Sequence, residues 1–243
     1  MNLNIINELV SLEGVALRYN WSGDTIVRDT IVWSKRVVLG NENVFIPTDI
    51  REWISYPDSE VIKLALKEID LPASRAAGTF DERAWKVWRY VAENIEYVSD
   101  KKAFGMPDFW LFPAETLTLR RGDCEDSSFL LATLLLASGI SEHCVRVVIG
   151  TVVTGSTKYG HCWVVYQNES GTWCLLESTL NSVPQRLPPA DPFTEPESRD
   201  RYEPQLCFNR NHMWSIAPGE MRLSEYINSK EISGGYRPKS PGI

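Results

Sequence analysis

Apolar positions follow three successive patterns along the chain, and their order predicts the architecture. Between residues 14 and 45, β-branched and aromatic residues dominate. Val15-Ala16-Leu17-Arg18-Tyr19-Asn20-Trp21, the polar Ser22-Gly23-Asp24, and Thr25-Ile26-Val27-Arg28-Asp29-Thr30-Ile31-Val32-Trp33 read as a hairpin. Val37-Val38-Leu39 and Val44-Phe45-Ile46, set around Gly40-Asn41, predict short added strands. From residue 60 the period becomes helical. Asp58 or Ser59 caps a helix over 60–69 that stops at Leu71-Pro72, and Asp81 opens a stronger one through about Tyr97. In the latter, Trp85, Trp88, Val91, Ala92 and Ile95 form a stripe best read as core packing. A third helix carries Phe129, Leu130, Leu131, Leu134, Leu135 and Leu136, with Gly139 as its C-terminal stop. Alternation then takes over in Val145-Arg146-Val147-Val148-Ile149-Gly150, in 160–166 and in 172–178, which predicts an antiparallel meander.

Helices first and sheet after is an α+β arrangement. Residues 1–12 read as a short helix, so 1–70 form a β-rich and helical extension, 71–183 the central body, and 184–243 a wrap and tail. The loop 99–121, with Gly105, Pro107 and Pro113, is long for a compact domain and is expected to serve the site, with Glu115-Thr116-Leu117-Thr118-Leu119 as a short turn. Pro184, Pro188, Pro189, Pro192, Pro196 and Pro204 mark an extended stretch. Leu206-Cys207-Phe208-Asn209 and Met213-Trp214-Ser215-Ile216 read as short returning strands, and 233–241 as a loose tail.

Composition narrows the partners. The chain has 243 residues, is 43% hydrophobic and carries a net charge of −7, with no long basic run, so it can bury a large core and is a poor match for nucleic acid. The start lacks the basic and apolar regions of a signal peptide, and the apolar run 129–137 is too short to span a bilayer, so no membrane is expected and the protein reads as cytoplasmic. Five cysteines without framework spacing fit reduced thiols.

Chemistry concentrates at Arg121-Gly122-Asp123-Cys124-Glu125-Asp126-Ser127-Ser128, a turn running directly into the apolar helix. A thiol in a first helical turn meets the positive end of the helix dipole and unpaired N–H groups, which favour thiolate. The flanking acids oppose a thiolate, so Cys124 needs an imidazolium partner. A hairpin centred on Glu169 places Tyr166 opposite Thr172, Trp163 opposite Leu175 and His161 opposite Glu177. His161, Trp163 and Val165 then share a face with Trp173, Leu175 and Glu177. A thiol, an imidazole and an acid that orients it are the parts of an activated nucleophile. His143 and His212 have no such acid, and Cys144, Cys162 and Cys174 are assigned to packing. Zinc ligation by His143-Cys144 and His161-Cys162 lacks the usual spacing. Asp123 and Asp126 are accounted for by the helix N-terminus, so no metal is assigned.

Gly-Asp-Cys-Glu-Asp at 122–126, Gly-His-Cys-Trp-Val at 160–164 and Leu-Glu-Ser-Thr at 176–179 resemble, in order, the three motifs of the transglutaminase-like superfamily. The approach Asp108-Phe109-Trp110-Leu111-Phe112-Pro113-Ala114-Glu115-Thr116-Leu117 is similar to that of the bacterial transglutaminase-like cysteine proteinases. The resemblance, over about 81–180, implies a papain-like core in which the nucleophile helix packs on the sheet, a Cys124-His161-Glu177 triad and no cofactor. Many relatives carry Asp at the third position, so the longer Glu177 must be absorbed by the local geometry. The backbone N–H of Cys124 is one donor for an oxyanion, and Trp110 is the candidate for a second donor or a cleft wall. The expected activity is that of a cysteine-dependent amide hydrolase, a peptidase acting on protein or peptide through a thioester. The alternatives are a protein-glutamine transglutaminase, which passes the acyl group to an amine, and an inactive binding protein on the same fold.

Overall fold

The computed structural model describes residues 15–22, 25–39, 42–54, 59–181, 183–185, 187 and 200–215. The helix expected over 1–12, the tail at 233–241 and most of the proline-rich stretch lie outside these residues. The chain divides into two compact units, Met1–Trp53 and Ile54–Ile243.

In the first unit, β1 (Val15–Ser22), β2 (Thr25–Leu39) and β3 (Glu42–Asp49) form one antiparallel sheet in the order β1-β2-β3. The two strands expected on either side of residue 34 are one continuous β2, which pairs with β1 along its first half and β3 along its second. A short 3-10 turn, Ile50–Trp53, closes the unit.

The second unit begins with α1 (Glu60–Glu68), capped by Ser59, whose Oγ accepts from Ile62 N at 3.2 Å. Although the sequence groups this helix with the N-terminal extension, it packs on the later helices of the second unit. Next comes α2 (Phe80–Asn94), and the chain then forms the two-residue β4 (Glu96–Tyr97). The loop 99–121 is more regular than its composition suggests. It holds α3 (Asp100–Phe104) and α4 (Pro113–Leu119), the latter started by Pro113 and by Glu115 reaching back to Phe112 N at 2.7 Å. It then reaches β5 (Arg121–Gly122), parallel to β4.

The centre of the unit is α5 (Cys124–Ala137), whose residues are buried on every side through Leu136. It touches α1, α2 and α4 on one side and the sheet on the other. Leu130, Leu131, Leu134 and Leu135 are all fully buried, each worth about 1.5–3 kcal/mol relative to exposure. The sheet contains β6 (Val145–Thr154), β7 (Thr157–Gln167), β8 (Trp173–Leu176), β9 (Asp200–Phe208) and β10 (Met213–Ser215) in the order β10-β9-β6-β7-β8. No described helix is long and apolar enough to cross a membrane.

The two sheet faces have different duties. Cys162, Val164 and Tyr166 alternate with His161, Trp163 and Val165 along β7. The first set shares a face with Phe208, whose ring lies 6.2 Å from that of Phe129 on α5, and Tyr166 reaches Asp81 of α2 at 2.9 Å. Trp163 and Val165 of the second set form a cluster with Val148 and Cys207, covered by Trp173, Leu175 and Tyr202.

Gly150, in the middle of β6, sits between His161 on β7 and Pro204 on β9. A Cβ there would lie 2.3 Å from the Glu203 carbonyl oxygen and 2.8 Å from the Trp163 ring. Backbone cannot yield cheaply at that distance. Gly150→Ala is therefore expected to cost about 1–3 kcal/mol, read as a lower thermal midpoint with the sheet signal retained.

Candidate active site

Cys124 opens α5 behind the N-cap Asp123, and the start of this helix is built from carboxylates. Asp126 Oδ2 accepts from Asp123 N at 3.2 Å, closing a capping box, while Oδ1 accepts from Leu111 N at 2.7 Å and so ties the 99–121 segment to the helix. The assignment of Asp126 to the helix terminus agrees with this geometry. The Cys124 thiol donates to Glu125 Oε2 at 3.2 Å.

Trp110, the candidate second donor or cleft wall, has its N–H engaged within its own loop. Its indole Nε1 donates to Asp108 Oδ2 at 2.9 Å, the residue is only 2% exposed, and its ring packs 5.1 Å from Phe129. Those contacts make it an interior wall behind the start of α5, with its N–H engaged by a carboxylate. The sequence could not show this, because Asp108 and Trp110 are neighbours in a loop whose fold is set by Asp100 accepting from Phe109 N at 2.6 Å.

His161 and Glu177 are brought together: Nε2 lies 2.7 Å from Oε2, both side chains buried. The register that does this differs from the expected one. Val165 pairs with Leu175 and Tyr166 with Cys174, two residues beyond the predicted partners, because the turn is centred on Ser170. Asn168 N donates to Thr172 O at 2.8 Å, and Gly171, at φ 85°, supplies the left-handed residue that ends such a three-residue loop. A shift of two preserves the faces, so the grouping of His161 with Trp163, Val165, Leu175 and Glu177 stands. Carried one step past the ladder, however, Glu177 falls opposite Trp163 and diagonal to His161. The extra methylene of Glu spans that diagonal, which explains why the longer acid fits here.

Four donors converge on the Glu177 carboxylate. Oε1 accepts from Thr179 N at 3.0 Å and Thr179 Oγ1 at 2.8 Å, and Oε2 accepts from His161 Nε2 and from Tyr202 OH at 3.0 Å. Its backbone carbonyl accepts from Trp88 Nε1 at 2.7 Å. Burial pushes this carboxyl upward, but the charge and hydrogen bond of His161 and the two Thr179 bonds outweigh it and hold it below the ordinary range. A carboxylate with its lone pairs so occupied orients a neighbour; it does not move protons itself. Glu177 engages the Nε2 side of the imidazole.

The link between this pair and the helix is Ser128. The last ladder pair of β7 and β8 is Val164 with Leu176, and two steps further along that register Cys162 and Ser178 are bridged by Ser128. Its Oγ donates to the Cys162 carbonyl at 3.1 Å and lies 3.3 Å from Ser178 Oγ. Ser128 thus satisfies backbone that the opening ladder leaves behind, and it docks α5 beside the residues next to His161 and Glu177. Cys124 stands four positions earlier on the same helix face, about 6 Å along the axis. Cys124 is 1% and His161 0% exposed, so bulk water is screened from both.

Burial pushes the thiols of Cys144, Cys174 and Cys207 up, the last two against partial relief from Asn168 and Arg146. None of the five cysteines forms a disulfide.

Residues 69–178 match the family model described as the transglutaminase-like superfamily. They form a transglutaminase-like core. The resemblance seen in the motifs is therefore supported over a span that begins earlier than expected and closes just after Glu177. Two solved structures show similarity to the chain. "Legionella pneumophila LapG (EGTA-treated)" is 19% identical, with 64% of this chain and 74% of that chain covered and a TM-score of 0.44. "Legionella pneumophila LapG (calcium-bound)" is 18% identical, with 70% and 93% covered and a TM-score of 0.42. No curated protein matches the chain. Ser128 and Trp88 lie within the transglutaminase-like core, Thr179 follows its last matched residue, and Tyr202 lies far outside it. All four escaped the sequence reading as members of the site. Only Thr179 left a signal, since a Thr two residues after an acid often bonds to it locally.

Proposed function

We propose that the protein is a cysteine-dependent amide hydrolase acting on a protein or peptide. Cys124 attacks the amide carbonyl, its proton passing to His161 Nδ1. The imidazolium, steadied by Glu177, gives that proton to the leaving amine, and water, deprotonated by the same imidazole, releases the acyl group from sulfur. The backbone N–H of Cys124 is the oxyanion donor in this reading. The observation that supports it most is the bridge that Ser128 makes to Cys162 and Ser178, which ties the helix opened by Cys124 to the residues next to the buried His161–Glu177 pair.

The low exposure of Cys124 also favours a second reading, since excluding water gives an amine a better chance of intercepting the thioester. One experiment separates the readings. A protein-derived peptide mixture is incubated with a labelled primary amine and read by mass spectrometry. New peptide termini without label mean hydrolysis, labelled glutaminyl peptides mean transamidation, and neither product means a binding protein.

A divalent cation fits beside the nucleophile. Asp100, Asp108 and Glu125 are buried and each present an oxygen within 4.8 Å of the others. A set of this kind suits an oxygen-seeking cation such as calcium, which would neutralise the carboxylates around the thiol. Adding calcium to EDTA-treated protein is expected to raise the thermal midpoint by several degrees. An unchanged midpoint would mean that protons and hydrogen bonds alone hold these acids.

A further inference from the structure

The cluster around Glu177 includes one donor from far outside the transglutaminase-like core. Tyr202 lies on β9 and pairs with Val152 of β6, whereas His161 lies on β7, on the other side of β6. To reach Glu177, the Tyr202 side chain must cross over β6 along the face that holds His161. Gly150, the β6 residue paired with His161, adds no side chain to that face. Any side chain there would occupy the space beneath Trp163 and against the Glu203 backbone. The β6–β9 register slips between Ile149 and Gly150, a bulge that re-aims the strand carrying Tyr202.

Two contacts then act on the imidazole. Tyr202 OH donates to Glu177 Oε2 at 3.0 Å, the same oxygen that takes the His161 Nε2 bond at 2.7 Å. That shared oxygen is fixed in direction by the phenol and partly drained of electron density by it. The Tyr202 ring also stands 5.1 Å from Trp163, edge to face, and 6.2 Å from the His161 ring, while Trp163 lies nearly parallel to His161 at 6.1 Å. The imidazole is thereby bracketed in plane as well as held at Nε2.

We infer that Tyr202 is a positioning residue for the His161–Glu177 pair, supplied by β9 to a core whose own residues end before it. This rests on the amide-hydrolase reading, in which His161 serves Cys124. The hydroxyl holds Oε2 where the Nε2–H of one tautomer can meet it, so that Nδ1 stays turned to the thiol. Without it Oε2 loses one of its two donors and its direction is set by His161 alone.

The test uses the whole chain and needs no known substrate. Tyr202→Phe keeps the ring and removes the hydroxyl. Alkylation of Cys124 by iodoacetamide is measured at neutral pH in the wild type, Tyr202→Phe and His161→Ala. The Nε2-bound proton of His161 is followed by NMR in histidine-labelled protein, where only three histidines compete and His161→Ala gives the assignment. Tyr202→Phe is expected to slow alkylation by about 3- to 10-fold and to displace the His161 proton resonance, with the thermal midpoint within a few degrees of wild type. A displaced resonance with unchanged alkylation would reduce Tyr202 to a structural contact and overturn the inference. So would unchanged alkylation and resonance in Tyr202→Phe when His161→Ala is slowed, and in that case the reading of the nucleophile survives. If His161→Ala is not slowed either, both fall together.

Discussion

Cys124→Ser is expected to lower amide hydrolysis by at least about 10⁴-fold, while the thermal midpoint moves by no more than a few degrees. The substitution preserves shape, and a hydroxyl can keep the bond that the thiol gives to Glu125 Oε2. What it removes is the polarizable sulfur and the accessible anion that attack requires. The measurement pairs the rate of cleavage of any peptide found to be a substrate with a melting curve. A variant that keeps more than a few per cent of the wild-type rate would assign the chemistry to another group.

Glu177→Gln carries the second largest effect, a loss of about 10²- to 10⁴-fold in turnover. Four donors face this side chain, and one of them, Thr179 N–H, cannot turn to accept. If the glutamine oxygen faces Thr179, its NH₂ confronts His161 and forces the proton onto the wrong ring nitrogen. If the oxygen faces His161, the NH₂ is pressed against Thr179 N–H and a buried donor goes unmet. Stability falls as well, by about 1–3 kcal/mol near neutrality. That difference depends on pH in a fixed direction. The Glu177 carboxyl is held below its ordinary value in the folded protein, so its contribution is complete above the unfolded carboxylate value of about 4.3 and disappears as pH falls through the lower folded value. The gap between wild type and Glu177→Gln should therefore close on acidification, as followed by denaturant unfolding at several pH values.

Much of this fold was legible because its elements are local. The helical stripe of α2, the cap at Ser59, the apolar body of α5 and the alternation in β6, β7 and β8 each follow from spacing alone. The pairing of His161 with Glu177 was legible for the same reason, since parity along two hairpin strands survives an error of two in register. Legibility stopped where the interaction crosses the chain. Nothing near Ser128 announces that it will fill a gap in a ladder more than thirty residues away, and Tyr202 reads as one aromatic in a charged, proline-rich stretch. The partner of the Trp110 indole was hidden for a related reason. An indole in the approach to a nucleophile looks like a donor to the site, and only the fold of the 99–113 segment shows Asp108 receiving it. The order within 99–121 was hidden too, because α3 and α4 are short and held by side chains reaching back to backbone N–H groups.

The proposed chemistry requires sulfur and imidazole to work as a pair, and the alkylation rate of Cys124 across pH reports that pairing directly. At pH 6, where an ordinary thiol is almost wholly protonated, wild-type Cys124 should react at least about ten times faster than Cys124 in His161→Ala. Rates that coincide at every pH, rising only as an isolated thiol ionises, would contradict it.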